Sequence, residues 1–444
     1  MSLTKRVGLV AGAAALTLTG ASYAGTETTD QDLRARVAQM EAELAKLKAQ
    51  EGSNWLTEQR ATEIRALVQD VLADADTRTS LLQGGTAGWD NNFFLASGDG
   101  KFRLNIGGQL QFRWMYSNQD DEASEDTSRS GFENTRTKLV FWGHVVDPAW
   151  TYKVEGDFNS RNGGGGSFTL EDAWINYNYD NGWGVKVGQF RSPALREELV
   201  HSSMQLAVER SVLNSAFTAG MTQGIMLHYT GDNFRMALSY NDGARSANGA
   251  AMAYDTEWSF SGRGEILFAG NWNQFNDFTS WKGEEFGFML GFAAHYQSAE
   301  YGTAATNELE VLGLTLDASL EFGGANLYAA VIWTDLDNDN GIDANPWGFL
   351  VQGGIFLTDD VELFGRFEWG DSDDLTSEDL MIATIGFNKY FSKHQIKWTT
   401  DFGYAFEPVE AAWLANSDGR EGWRADGADE DGQFVIRTQL QLLF

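Results

Sequence analysis

Along most of the chain, apolar and polar residues alternate with a period of two. Phe102, Leu104, Ile106, Gly108, Leu110, Phe112, Trp114 and Tyr116 share one parity, while Arg103, Asn105, Gln109, Gln111 and Arg113 share the other. The end of the chain repeats the pattern, with Phe434, Ile436, Leu440, Leu442 and Phe444 against Gln433, Arg437, Gln439 and Gln441. A strand that is apolar on one face and polar on the other, and longer than most soluble strands, suits lipid outside and water inside. Counting such segments predicts about sixteen strands, an even number as a closed single-chain barrel requires. Tight turns at Val146-Asp147-Pro148, Asp180-Asn181-Gly182, Gly231-Asp232, Gly323-Gly324, Thr358-Asp359-Asp360 and Ser392-Lys393 alternate with longer connections. One connection, Gly270 to Glu284, falls on the short side and is long. The four prolines, Pro148, Pro193, Pro346 and Pro408, all fall at strand ends or in loops, as a hydrogen-bonded ladder demands. About sixteen strands leave an aqueous channel, whereas eight are filled by side chains.

The first hundred residues have a different period. Residues 1–24 read as a signal peptide, with Lys5 and Arg6 before the apolar stretch Val7 to Leu18 and a small-x-small site at Ser22-Tyr23-Ala24. Residues 25–80 read as a periplasmic helical segment. Leu33, Val37, Met40, Leu44 and Leu47 follow the alternating four and three spacing of a coiled-coil seam, which suggests an oligomer, although a hairpin with Asn54 to Leu72 fits as well. Residues 81–100, rich in glycine, read as a linker, and 101–444 as the barrel.

Composition narrows the function. The chain has 32 Lys plus Arg against 63 Asp plus Glu, a net charge of −31, and no cysteine. A disulfide scaffold and a cysteine zinc site are excluded, and nucleic acid is not expected as a partner. The 58 aromatic residues (16 Trp, 13 Tyr, 29 Phe) exclude an acidic disordered chain. His144, His201, His228, His295 and His394 have no metal-ligand spacing, and no catalytic constellation appears; neither enzyme activity, metal nor cofactor is expected.

Strand parity places cations in the lumen. Arg103, Arg113, Arg136, Lys138, Lys153 and Lys186 point inward on the first five strands, and Asp317, Glu321, Glu362 and Glu368 on later ones, which predicts one basic and one acidic wall. The longest connection, Arg191 to Met221, carries apolar residues (Leu199, Met204, Leu206, Val208, Val212, Leu213) that a hydrated surface loop would not need. It is expected to fold into the lumen as a constriction, with Arg191, Arg196 and Arg210 available to replace part of an anion's hydration shell.

Several runs then carry a resemblance: Asn134-Thr135-Arg136-Thr137-Lys138 leading to Trp142-Gly143, Trp150 to Phe158, Leu170 to Ile175, Val187-Gly188-Gln189-Phe190-Arg191-Ser192-Pro193, and Val208-Glu209-Arg210-Ser211. Their order and spacing resemble the phosphate-selective porin O/P family. The resemblance implies a trimeric, sixteen-stranded outer-membrane porin whose loop after Phe190 enters the pore, with Arg136, Lys138, Arg191 and Arg210 as the positions matched by motif. The full lysine and arginine set of the phosphate-specific members is not found in this chain.

The expectation is therefore an all-β, 16-stranded antiparallel transmembrane β-barrel with an inward-folded constriction loop, preceded by a short α-helical coiled coil. It would lie in the outer membrane of a Gram-negative-type bacterium, contact lipid, form a homotrimer, and pass small hydrophilic solutes with a preference for anions such as phosphate. The alternative is a structural envelope protein whose residues 30–80 tether the membrane to the cell wall.

Overall fold

The computed structural model describes residues 85–119, 127–158, 167–250, 255–300, 308–338, 341, 343–427 and 430–444, with helical positions between Ala35 and Lys46 and at Ala66 and Val68. The signal segment, most of the predicted coiled coil and the acidic run 120–126 lie outside the described residues. The chain divides into two units, Met1–Gln83 and Gly84–Phe444.

The second unit begins with β1 (Gly85–Trp89) and β2 (Phe93–Ser97). The wall then runs through β3 (Arg103–Asn118), β4 (Ser128–Val145), β5 (Asp147–Asp157), β6 (Thr169–Asn178), β7 (Trp183–Arg191), β8 (Met221–Thr230), β9 (Phe234–Asn241) and β10 (Asp255–Ala269). It continues through β11 (Gly287–Glu300), β12 (Glu308–Glu321), β13 (Ala325–Asn338), the two-residue β14 (Asp343–Ala344), β15 (Trp347–Phe356), β16 (Val361–Asp371), β17 (Leu380–Ser392), β18 (Ile396–Ala405) and β19 (Phe434–Leu443). Leaving out β1, β2 and β14, each strand pairs antiparallel with the next, and β19 returns to β3 from Phe434↔Asn118 to Leu443↔Gln109. That closes a barrel of sixteen strands. Closure matters because an unpaired backbone N–H or C=O facing hydrocarbon costs several kcal/mol, and a closed ladder leaves no edge.

The parity expected for the first and last strands holds. Leu110, Phe112, Leu440 and Leu442 are exposed on the outer face, while Gln109, Gln111, Arg113, Arg437, Gln439 and Gln441 are buried within. A bulge between Gln111 and Phe112 leaves Thr135 of β4 without a cross-strand partner. The inward parity of β4 therefore switches there, and Glu133 joins Arg136 and Lys138 on the lumen side. The tight connections gather at one end. At Gly182 the backbone takes a φ of +84°, and an added Cβ would meet the Thr230 carbonyl at 2.5 Å, so this turn needs glycine.

One region departs from the sequence reading, and the long connection it singled out, Gly270 to Glu284, is present. The expected linker 81–100 contains the hairpin β1–β2, turning at Asn91 (φ 55°), and β2 pairs with β3 from Phe93↔Ile106 to Ala96↔Arg103. The C-terminal strand, whose Phe444 exchanges backbone hydrogen bonds with Gly108, leaves that edge of β3 unpaired below Gly108, and β2 takes the ladder bonds from Ile106 to Arg103. The long connection between β10 and β11 folds against the neighbouring turns. The Trp272 indole donates to the Gly231 carbonyl (2.8 Å), Gly323 N–H donates to Ser280 Oγ (3.0 Å), and His394 Nε2 lies 2.9 Å from Asp277 Oδ2. Phe275 and Phe278 on this segment are buried.

Candidate functional site

The β7–β8 connection is built to sit against a wall. It contains the helical turns α1 (Arg196–Leu199) and α2 (Val212–Phe217), the second capped by Ser211, whose hydroxyl accepts from Asn214 N–H at 2.8 Å. Val200, Leu206, Ala207, Val212 and Leu213 join a buried cluster with Tyr328, Leu350, Phe364, Leu380 and Ile382, from β13 and β15 to β17. Leu213 sits against Gly348 and Gly370, where an added Cβ would come within 2.9 Å and 3.0 Å of its Cδ2. The spacing of apolar residues along the loop thus has a partner surface, which is why the segment does not extend into solvent.

Polar anchors complete the attachment, because the loop backbone has no ladder to satisfy it. Lys397 Nζ donates to the Gln205 carbonyl (2.8 Å) and Asn388 to that of Leu206 (3.0 Å). Val208 N–H donates to Asp401 (2.9 Å), and Arg366 donates to the Glu209 carbonyl (2.9 Å). On another side, Arg196 donates to Ser319 Oγ of β12 (2.9 Å) and to the Phe275 carbonyl (2.9 Å).

Most of the predicted lumen cations are paired with carboxylates. Glu209 receives Arg113 at 2.7 Å and Arg136 through both oxygens at 2.8 and 2.7 Å, and Arg113 also pairs with Glu133. Burial alone would raise the Glu209 carboxyl, but Arg136 and Arg113 hold it well below the usual carboxylate range. Lys138 pairs with Glu155 (3.3 Å) and Glu171 (2.5 Å), and Lys153 with Glu155 (2.6 Å) and Asp172 (2.7 Å). Arg191 pairs with Glu171 (3.2 Å), and Arg210 with Glu198 (3.5 Å) while donating to the Val200 carbonyl (2.9 Å). Arg103, near the turn end, pairs with Asp90 (3.2 Å) and lies over the Phe94 ring. Arg196 and Lys186 are different. Arg196 is held by carbonyls and a hydroxyl, and Lys186 Nζ lies 4.5 Å from the Trp174 ring centroid with no ion pair among the described residues.

The division into a basic and an acidic wall therefore gives way to local pairing. Two of the four later acids have cations of their own, Asp317 with Arg263 (2.7 Å) and Glu368 with Arg366 (3.0 Å), while Glu362 accepts hydrogen bonds from Asn326 (2.8 Å) and Tyr390 (2.6 Å) instead. Sequence reasoning passed over Arg235 and Arg263 as site residues. Parity could have found Arg263, since Ser259, Ser261, Arg263 and Glu265 alternate along β10 and all are buried.

Free volume remains on both sides of the loop: a cavity of about 520 Å³ lies between Ala216 to Ala219 and β11 to β13, and two cavities rich in cations lie on the β4 to β10 side. A cavity of about 440 Å³ toward the turns is lined by six cations, Lys153, Lys186, Arg191, Arg196, Arg235 and Arg263, against Asp172 and Glu265. A second, of about 220 Å³ toward the long connections, is lined by Arg136, Lys138, Arg191, Arg210, Arg245 and Arg420 with five carboxylates, among them Glu171, Glu198 and Glu209. Arg191 borders both. The surroundings of that guanidinium are more basic on the turn side.

A family model described as phosphate-selective porin O and P matches residues 104–375. An uncharacterized protein of Aquifex aeolicus (strain VF5) is 23% identical over 383 residues, covering 78% of this chain and 87% of that protein. Among solved structures, the anion-selective porin from Comamonas acidovorans is similar with a TM-score of 0.54 at 14% identity, covering 77% of this chain and 99% of that one. The trimer form of OmpT, an outer membrane protein of Vibrio cholerae, is similar with a TM-score of 0.51 at 10% identity, covering 76% and 98%. At such identities the structural likeness is one of fold.

Proposed function

Because the chain belongs to the phosphate-selective porin O and P family, whose members are outer-membrane channels, we propose that it passes small hydrophilic solutes by passive diffusion with a preference for anions. The observation that carries this reading is Arg191, which borders both cation-rich cavities, the lower of them lined by six cations and two acids. The 191–221 loop acts as the constriction. Its apolar face packs on β15 to β19 and on Tyr328 and Ala330 of β13, and solutes move along the cation-lined side facing β4 to β10. Arg136, Lys138 and Arg210 border the upper cavity, and Lys153, Lys186, Arg191 and Arg196 the lower one. Arg113, 1% exposed, holds the loop through Glu209, and Arg103 stands near the turn-side mouth. An anion entering a narrow, low-dielectric path gains from a local surplus of cations even under a net charge of −31, since charges farther than about 8–10 Å through salt solution are screened. No tight resting site is required, so flux needs no energy source. The working assembly is a homotrimer, in keeping with the trimer form of OmpT.

The test is the reversal potential of the purified protein in a planar bilayer under a KCl gradient, repeated with phosphate. The expected potential lies on the anion side, phosphate reduces the chloride current, and Arg191→Gln weakens both effects. A potential at zero or on the cation side refutes the anion preference.

A further inference from the structure

The turn-side cavity contains more than charge. Met226, 6% exposed, and Phe190, 1% exposed, line it together with Leu199, and Trp174 carries Lys186 over its face at 4.5 Å. Inorganic phosphate offers oxygen atoms on every side and needs a hydrogen-bond donor for each. Against Met226, Phe190 and Leu199 it would lose water and gain nothing in exchange. A ligand with one charged end and one apolar end matches both parts of this lining. Lys186 suits the charged end: among the lining cations it is the one with neither an ion pair nor a hydrogen bond among the described residues, so a ligand carboxylate need not displace a protein acid. The adjoining Trp174 and Met226 provide flat, polarisable surface for the rest. A volume of about 440 Å³ is within the range of small-molecule sites.

We propose that this cavity is a binding station for organic anions with an apolar body, such as aromatic or longer aliphatic carboxylates. The carboxylate meets Lys186 and Arg191, and the apolar body lies on Met226, Phe190 and Leu199. The proposal rests on the reading of an anion path and adds the chemical class of its preferred occupant.

The experiment compares benzoate with acetate as blockers of the chloride current through the full-length protein in a planar bilayer at pH 7. Both carry one carboxylate, and only benzoate carries a ring. Benzoate is expected to block at a concentration about tenfold lower, since ring burial accounts for the difference. Met226→Gln should close most of that gap, and Lys186→Met should weaken both blockers. Equal block by the two acids in the unaltered protein overturns the inference, as does a gap that Met226→Gln leaves unchanged. The KCl reversal potential separates the two ideas: a potential on the anion side with equal block sinks this inference alone, whereas one on the cation side with no block by either acid sinks the anion path beneath it.

Discussion

Replacing Glu209 with glutamine tests the link between loop anchoring and selectivity, because this carboxylate belongs to both. It is 4% exposed, ties the loop to β3 and β4 through Arg113 and Arg136, and borders the upper cavity. Removing one partner of a buried ion pair commonly costs about 3–5 kcal/mol, since the other charge stays behind. Here Arg113 keeps Glu133, the carboxamide still accepts a hydrogen bond, and water can enter from the cavity, so a loss of about 2–3 kcal/mol is expected. Selectivity should move the other way. At about 8 Å through water, one unit charge alters an ion's energy by about 0.5 kcal/mol, with opposite sign for chloride and potassium. Deleting the negative charge therefore favours chloride over potassium by about 1 kcal/mol, roughly a fivefold rise in the permeability ratio. Thermal unfolding in detergent gives the first quantity, and the reversal potential under a KCl gradient gives the second. A permeability ratio that stays unchanged, or shifts toward potassium, refutes the claim that the paired acids set the local balance of charge.

Other perturbations read separate parts of the structure. Leu213→Ala, at a position 0% exposed, should destabilise the folded protein by about 2–5 kcal/mol and increase current noise as the loop loses its seat; thermal melting and single-channel recording check both. Gly370→Val should lower the melting temperature by overpacking, about 1–3 kcal/mol, because a Cβ there would stand 2.7 Å from Trp413 Cη2. Burial pushes the His201 imidazole down to about 4 against the pull of Glu155, so the unfolded chain, near 6.5, takes up a proton first as pH falls. Stability contributed by neutral His201 is complete above about 6.5 and is lost progressively toward about 4; melting measured across that window should be steeper in the parent than in His201→Asn.

What the sequence determined by itself is the wall. The alternation from Phe102 to Tyr116 and from Gln433 to Phe444, the side on which tight turns fall and the placement of proline are local properties. A strand between lipid and water is told apart by its own two faces, so sixteen strands and the inward position of Arg113, Lys153 or Lys186 could be read without knowing their neighbours. The apolar residues between Leu199 and Leu213 likewise announced that the long loop must cover something. The hairpin at Gly85–Ser97 was masked by its glycines, although Asp90-Asn91-Asn92 is a turn signal. Tertiary structure alone decided which charges remain available. Glu209 meets Arg113 across 96 positions of chain, and Val208 N–H meets Asp401 across 193. Such pairs depend on interstrand register, on one bulge at Gln111/Phe112 that turns Glu133 inward, and on where the loop seats. Net charge and parity count cations, whereas an ion in the lumen responds to those whose field is not already cancelled by a carboxylate about 3 Å away, and that distance exists only once the barrel has closed.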